Sequence, residues 1–130
     1  MKVDGGVGFE LDTVGAQAQE LEEMGYAGIM TAETSHDPFF PLLVAAQNTK
    51  KVELVTSIAV AFARTPMIMA NIGHDLNAFS KGRFVLGLGS QIKPHITKRF
   101  SMPWSSPEAR MREYILAMRA IWAKWHEGTP

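Results

Sequence analysis

The chain has no cysteine. That absence removes disulfide staples, thiolate metal centres and a cysteine nucleophile together, and it suits a reducing, cytoplasmic setting. Net charge is also lacking: thirteen basic residues balance thirteen acidic ones. A chain without a basic excess has no electrostatic footprint for nucleic acid or an anionic membrane, so neither is expected as a partner. Long apolar runs are missing as well. The longest uninterrupted one, Ile58 to Ala63, is far too short to span a bilayer. The first residues, Met1 to Gly6, put charge where a signal peptide keeps an apolar core, and they read as a strand. What remains is a soluble globular chain, 46% apolar over 130 residues, enough to bury a core as one domain spanning 1–130.

Several chemical signatures are absent too. No G-x-x-x-x-G-K-[ST] phosphate loop occurs. Gly87-Leu88-Gly89 begins like a dinucleotide fingerprint, but Ile92 takes the place of its third glycine and a crowded loop follows where a helix should start. Ser35, Ser57 and Ser90 lack the G-x-S-x-G elbow of serine hydrolases. His74-Asp75 has no second histidine four residues on, so it reads as surface or helix-packing polarity and no zinc motif results. His126 beside Gly128 reads as a helix C-terminal residue favoured by the dipole. No metal site is expected.

What is present is an alternation of strands and helices. Apolar strand candidates cover about Lys2–Gly8, Ala27–Ala32, Val52–Val60 and Arg83–Leu88, with starts about 25, 25 and 31 residues apart, as repeated strand–helix units of a parallel sheet require. Most are continuous apolar runs, the pattern of a sheet covered on both faces. Asp12 or Thr13 can cap the first helix, with Val14, Ala18 and Leu21 on one face and Gly25 past its end. Asp37-Pro38, Thr65-Pro66 and Ser106-Pro107 each pair a capping residue with proline at the first helical position. Gly82 ends the third helix and Gly128 stops the fourth, whose Met111, Tyr114, Ile115, Met118, Ile121, Trp122 and Trp125 form a stripe expected to pack on a sheet. The long stretch from Gly89 to Ser106 reads as an irregular binding loop or lid.

Four such units make a (βα)4 half of a TIM-type (β/α)8 barrel, an α/β fold of parallel strands with alternating helices. A half-barrel leaves sheet edges and apolar faces open, so either the chain is a piece of a longer protein or copies pair to cover them. A flavodoxin-type open sheet is the alternative, and it usually carries a fifth strand.

In parallel α/β folds chemistry gathers at the carboxyl ends of the strands. That selects Gly6, Gly8 and Glu10; Glu33 to Asp37; Ser57 to Arg64; and Gly87 to Lys98. Glu33 and His36 are the best titratable pair, a carboxylate able to orient an imidazole for proton transfer. The plainer alternative makes Glu33 solvated, His36 a loop residue and Asp37 a helix cap. The strand running from Gly82 into Gly87-Leu88-Gly89 places glycines where backbone can approach a ligand. Lys93, His95, Lys98 and Arg99 form a basic cluster that suits a phosphate or carboxylate, or simply a solvated loop.

The segments Gly28-Ile29-Met30-Thr31-Ala32-Glu33, Asp37-Pro38-Phe39, Thr56 through Pro66 and Leu76 through Ser90 together resemble the bacterial-luciferase-like family, and more narrowly its deazaflavin-dependent oxidoreductases. The stretches Gly89 to Ile96 and Phe100 to Trp104 resemble a subgroup within it. The resemblance implies a (β/α)8 barrel with a flavin or deazaflavin ring over the strand ends, coenzyme F-420 as first choice and FMN as second, and a small-molecule substrate. It places Glu33 and His36 as catalytic residues and Ser35, Ser57, Ile58, Gly87, Gly89 and Ser90 at the cofactor. Ser57-Ile58 falls where the family often has a non-prolyl cis peptide. Family members form a whole barrel, and this chain resembles their first half; loops after strands seven and eight commonly hold the cofactor phosphate. Two functions follow. One is an oxidoreductase moving hydride between a small organic substrate and the (deaza)flavin. The other is a non-catalytic half-barrel that oligomerises through its exposed sheet edges, as a homo-oligomer or with a missing C-terminal half-barrel.

Overall fold

The computed structural model describes residues 2–127. Along the chain run β1 (Asp4–Gly6), α1 (Leu11–Glu23), β2 (Gly28–Thr31), α2 (Phe39–Asn48), β3 (Glu53–Thr56), β4 (Ala59–Val60), a 3-10 turn (Ala61–Ala63), α3 (Pro66–Phe79), β5 (Phe84–Val85), β6 (Leu88–Gly89), a π-helical turn (His95–Arg99) and α4 (Pro107–His126). This is the expected parallel α/β order, the (βα)4 half of a TIM-type barrel. The third and fourth strand candidates each break into two short strands, with β4 and β6 pairing apart from the main sheet. Two compact units result, Met1–Ala59 with Asp75–Leu88, and Val60–His74 with Gly89–Pro130.

In the first unit the sheet has the order β1-β2-β3-β5, parallel throughout. Its register aligns Gly5, Ile29, Leu54 and Phe84 in one row. Ile29 and Leu54 in that row are fully buried, joined by Val14 and Ala18 of α1 and by Leu42, Ala45 and Ala46 of α2. Full burial of each such Leu, Ile or Val is worth roughly 1.5–3 kcal/mol, so this layer carries the unit. The neighbouring row is Gly6, Met30, Val55 and Val85, where Met30 is 40% and Val85 42% exposed. The expectation of strands buried on both faces is therefore corrected: α1 and α2 cover one face of this sheet, and Met30 and Val85 on the other stay exposed.

The helix signals resolve residue by residue. Gly25, at φ +89°, ends α1 with the N–H of Tyr26 on the Leu21 carbonyl and that of Gly25 on the Glu22 carbonyl, a Schellman closure. Asp12 and Thr13 do not cap α1. The helix starts earlier because the Glu10 carbonyl already accepts from the N–H groups of Thr13 and Val14, and the Thr13 hydroxyl donates to the same oxygen. Asp37 does cap α2, its Oδ2 accepting from the N–H groups of Phe39 and Phe40 at 2.7 Å each. Thr65 caps α3 through the N–H of Ile68, with Pro66 first in the helix. Gly82 is one residue beyond the turn that closes α3: Lys81, at φ 58°, takes the left-handed position, and the Gly82 N–H reaches the Asn77 carbonyl. Ser106 stands at the start of α4 without a side-chain cap bond. The Gly128 stop lies outside the described residues.

Two clasps tie the helices to the amino ends of the strands. The Glu22 carboxylate, late in α1, accepts from the backbone N–H groups of Lys50, Lys51 and Val52 at 2.8–3.2 Å. Burial pushes its pKa up, but those N–H groups and the Arg83 charge outweigh it and hold the carboxyl below its usual value. Arg83, just before β5, donates Nη1 to the Thr49 hydroxyl and the Val52 carbonyl, Nη2 to the Ala46 and Thr49 carbonyls, and Nε to the Ser80 carbonyl. A guanidinium thus serves the carbonyls at the α2 C-terminus, where the helix dipole favours positive charge.

In the second unit the α4 stripe turns Tyr114 and Met118 inward and leaves Ile115 36% exposed. It packs on the 60–74 segment and not, as expected, on a sheet. The Trp122 indole N–H donates to the Ala70 carbonyl at 3.0 Å, and the Trp125 ring meets His74 edge-on at 5.3 Å. The Tyr114 hydroxyl lies 3.0 Å from the Arg64 carbonyl and 3.2 Å from that of Thr65; burial raises its pKa far above the usual phenol value, against the opposing charges of Arg64 and Arg110. Phe62, fully buried, meets Trp104 and Tyr114 edge-on while the Arg110 guanidinium lies over its ring at 4.3 Å. Gly89–Ser106 is not wholly irregular: its π-helical turn buries Ile96, whose carbonyl accepts from the Met102 N–H. No helix among the described residues is long and apolar enough to cross a membrane.

Candidate functional site

The carboxyl ends of β2, β3 and β5 in the first unit are stitched together beyond the last paired residues. The Ser57 N–H donates to the Thr31 carbonyl at 2.6 Å, the Glu33 N–H to the Ile58 carbonyl at 3.0 Å, and the Ala59 N–H to the Gly87 carbonyl at 2.8 Å. Thr56 adds a reciprocal pair, its hydroxyl donating to the Gly87 carbonyl and accepting from the Gly87 N–H, both at 2.9 Å. The Ser57–Ile58 peptide is cis. Three sequence-predicted positions, Glu33, Ser57-Ile58 and Gly87, are thereby held side by side on adjacent strands.

Gly87 is glycine for a reason the sequence did not suggest. A Cβ there would overlap the Thr56 carbonyl oxygen, so close approach to β3 by itself excludes a side chain. Gly6 and Gly8, after β1, have only the Met30 carbonyl at 3.8 Å and Gln17 Oε1 at 3.9 Å near that position.

The loop after β2 is bracketed at both ends. The Glu33 N–H fixes its start, and the Thr31 hydroxyl donates to the Pro38 carbonyl at 2.8 Å to fix its close. Between them Glu33 is buried, 7% exposed, whereas Thr34, Ser35 and His36 are exposed. Glu33 is thus not the solvated carboxylate of the plainer alternative, while Asp37 does cap α2 as that alternative supposed. His36 stacks on Phe9, ring centroids 5.2 Å apart and planes 27° from parallel. Neither Phe9 nor Thr56 was among the site residues expected from the sequence. An aromatic directly after Gly8 and a threonine ending a strand match no motif, and only the register brings them to these partners.

Gly89 and Ser90 fall in the second unit, both half-buried. So do Lys93, His95, Lys98 and Arg99; His95 Nδ1 lies 3.1 Å from Gln91 Oε1, and the Arg99 guanidinium lies over the Phe100 ring at 4.8 Å. Among the described residues no group of three or more His, Asp or Glu could hold a metal ion.

The family model for luciferase-like monooxygenases matches residues 2–129. The chain belongs to that family. Among luciferase-like relatives, an uncharacterized protein of Mycobacterium tuberculosis is 57% identical over 129 residues, covering 99% of this chain and 38% of its own length. A second protein of that organism, whose name assigns it provisionally to the coenzyme F-420-dependent oxidoreductases, is 32% identical over 91% of this chain and 37% of its own length. The monooxygenase RslO1 from Streptomyces bottropensis superposes with a TM-score of 0.82 at 26% identity, covering 95% of this chain and 43% of the other. The chain thus spans about two fifths of the length of the luciferase-like relatives it matches. The fold is shared with two further structures: the coenzyme F-420-dependent tetrahydromethanopterin reductase from Methanopyrus kandleri (TM-score 0.74, 18% identity, 87% of this chain and 38% of the other) and a type II Baeyer–Villiger monooxygenase from Pseudomonas putida in complex with FMN (TM-score 0.79, 17% identity, 94% and 39%).

Proposed function

We propose that this chain is the ring-binding part of a luciferase-like oxidoreductase that moves hydride between a small organic substrate and a deazaflavin, coenzyme F-420, or else FMN. The observation that carries the reading is the backbone stitching of Glu33, Ile58 and Gly87 at the strand ends. It sets a buried carboxylate, the exposed groups of Ser35, His36 and Ser57, and the apolar Ile58 on a preorganised rim. That donor set fits a flat heterocycle with a carbonyl and N–H edge. Ser35, Ser57, Ile58 and Gly87, all of the first unit, would hold the ring. When bound, the cofactor supplies the two-electron chemistry, and the chain supplies orientation and proton handling. Glu33 or His36 takes the proton that the substrate's heteroatom loses as hydride departs, or returns it in the reverse direction.

Titrating the purified chain with F-420 and with FMN, followed by absorbance and fluorescence, tests the reading. Saturable binding of one names the cofactor class, and Glu33→Gln and His36→Ala should each then depress turnover. Normal turnover in both variants would overturn the proton-transfer assignment.

The second reading, a non-catalytic half-barrel that assembles through its edges, is favoured by one observation. β1 and β5 are the terminal strands of the main sheet, and Met30 and Val85 are exposed on its uncovered row. An oligomer that binds neither cofactor at high concentration would establish it in place of the first.

A further inference from the structure

The contact between Phe9 and His36 is used by nothing described so far. Phe9 sits on a short loop whose two neighbours are both pinned: the Gly8 N–H donates to Gln17 Oε1 at 3.2 Å, and the Glu10 carbonyl accepts the first N–H groups of α1. Phe9 is half-buried on that anchored loop, whereas the His36 side chain is exposed. An exposed imidazole held by neighbours in sequence alone would sample several rotamers. Stacking removes that freedom in a particular way. The benzene face fixes the imidazole plane through its π-surface, without drawing on Nδ1 or Nε2, so both nitrogens stay available to give or take a proton.

We propose that Phe9 is a positioning residue for His36, fixing the plane of the imidazole on the loop after β2 while leaving its nitrogens to the substrate. The inference rests on the oxidoreductase reading and adds to it a residue from the first strand–helix loop. Orientation of a proton-transfer group governs the reacting complex more than the affinity of either ligand, so its loss appears in kcat.

The test compares Phe9→Leu with Phe9→Tyr in the whole chain. In the cofactor-free protein, the carbon-bound ring protons of His36 should carry an upfield ring-current shift by NMR that Phe9→Leu abolishes and Phe9→Tyr retains. With the cofactor that binds, Phe9→Leu should lower kcat about tenfold with KM and cofactor affinity within twofold of the parent, and Phe9→Tyr should restore it. Unchanged kcat in Phe9→Leu, or loss of kcat in Phe9→Tyr with the ring-current shift intact, would overturn the inference and leave the oxidoreductase reading standing. A parent chain that binds neither cofactor would overturn that reading, and this inference with it.

Discussion

Replacing Gly87 by alanine should be far more harmful than the addition of one methyl group suggests. The added Cβ would overlap the Thr56 carbonyl oxygen, a backbone atom that cannot rotate aside, so β3 and the 87 segment must separate. Three hydrogen bonds span that gap: the two between the Thr56 hydroxyl and the Gly87 backbone, and the one from Ala59 N–H to the Gly87 carbonyl. At a net value of about 1 kcal/mol each, Gly87→Ala should cost about 3 kcal/mol. Thr56→Val removes only the hydroxyl and its two bonds, at about 2 kcal/mol, since Thr56 is buried and the Gly87 groups lose their partner. The double variant is the discriminating case. Gly87→Ala has already broken the bonds that Thr56→Val would remove, so the double variant should lose about 3 kcal/mol, well short of the sum of roughly 5. Urea unfolding followed by circular dichroism measures all four proteins, with unchanged m values required for the comparison. Additivity within about 0.5 kcal/mol, or a cost for Gly87→Ala below that figure, would refute the argument.

Two other outcomes follow from the clasps. Arg83→Met should destabilise the fold by about 3 kcal/mol, because five donated bonds are lost and part of the burden returns to water at a half-buried site; Arg83→Lys should recover a minor part, since an ammonium cannot span Ala46, Val52 and Ser80 together. Equal stability of the Lys variant and the parent by thermal melting would contradict this. Glu22 has a folded pKa below its ordinary value, so its contribution is present above about pH 4.5 and is lost as pH falls through the depressed folded value. The stability gap between parent and Glu22→Gln should therefore narrow on acidification; a gap of constant size from pH 6 to pH 3, measured by urea titration, would rule the linkage out.

Much of the fold was legible because its punctuation is local. Gly25 at a left-handed helix end, Asp37 capping α2, and Thr65 with Pro66 each act within one turn of chain, and each occupies the predicted place; Pro38 stands one residue ahead of α2 instead of first in it. What was not legible depends on partners distant in sequence. The break between Thr56 and Ala59, and the true reason for Gly87, come from the register of β3 against β5, some thirty residues away. Arg83 reads in the sequence as the polar start of a strand, and only folding brings it to the end of α2. At the candidate site, Glu33 and His36 were visible as residue types on one loop. Their division into a buried carboxylate and an exposed, stacked imidazole was not, because Phe9 and Ile58 belong to other strand–loop units.

The Glu22 and Arg83 clasps have a bearing on how such a chain can change over time. They gather anchoring bonds at one pole of the sheet, in backbone carbonyls and N–H groups that any side chain leaves intact. Residues at the opposite pole, Ser35 and His36 among them, can then be exchanged with little effect on whether the chain folds. A scaffold organised in this way separates the residues that hold the fold from those free to vary. Diversity can accumulate in the exposed loop residues Thr34, Ser35 and His36, while the clasped foot of the sheet and the stitched pair Thr56 and Gly87 leave little room for change.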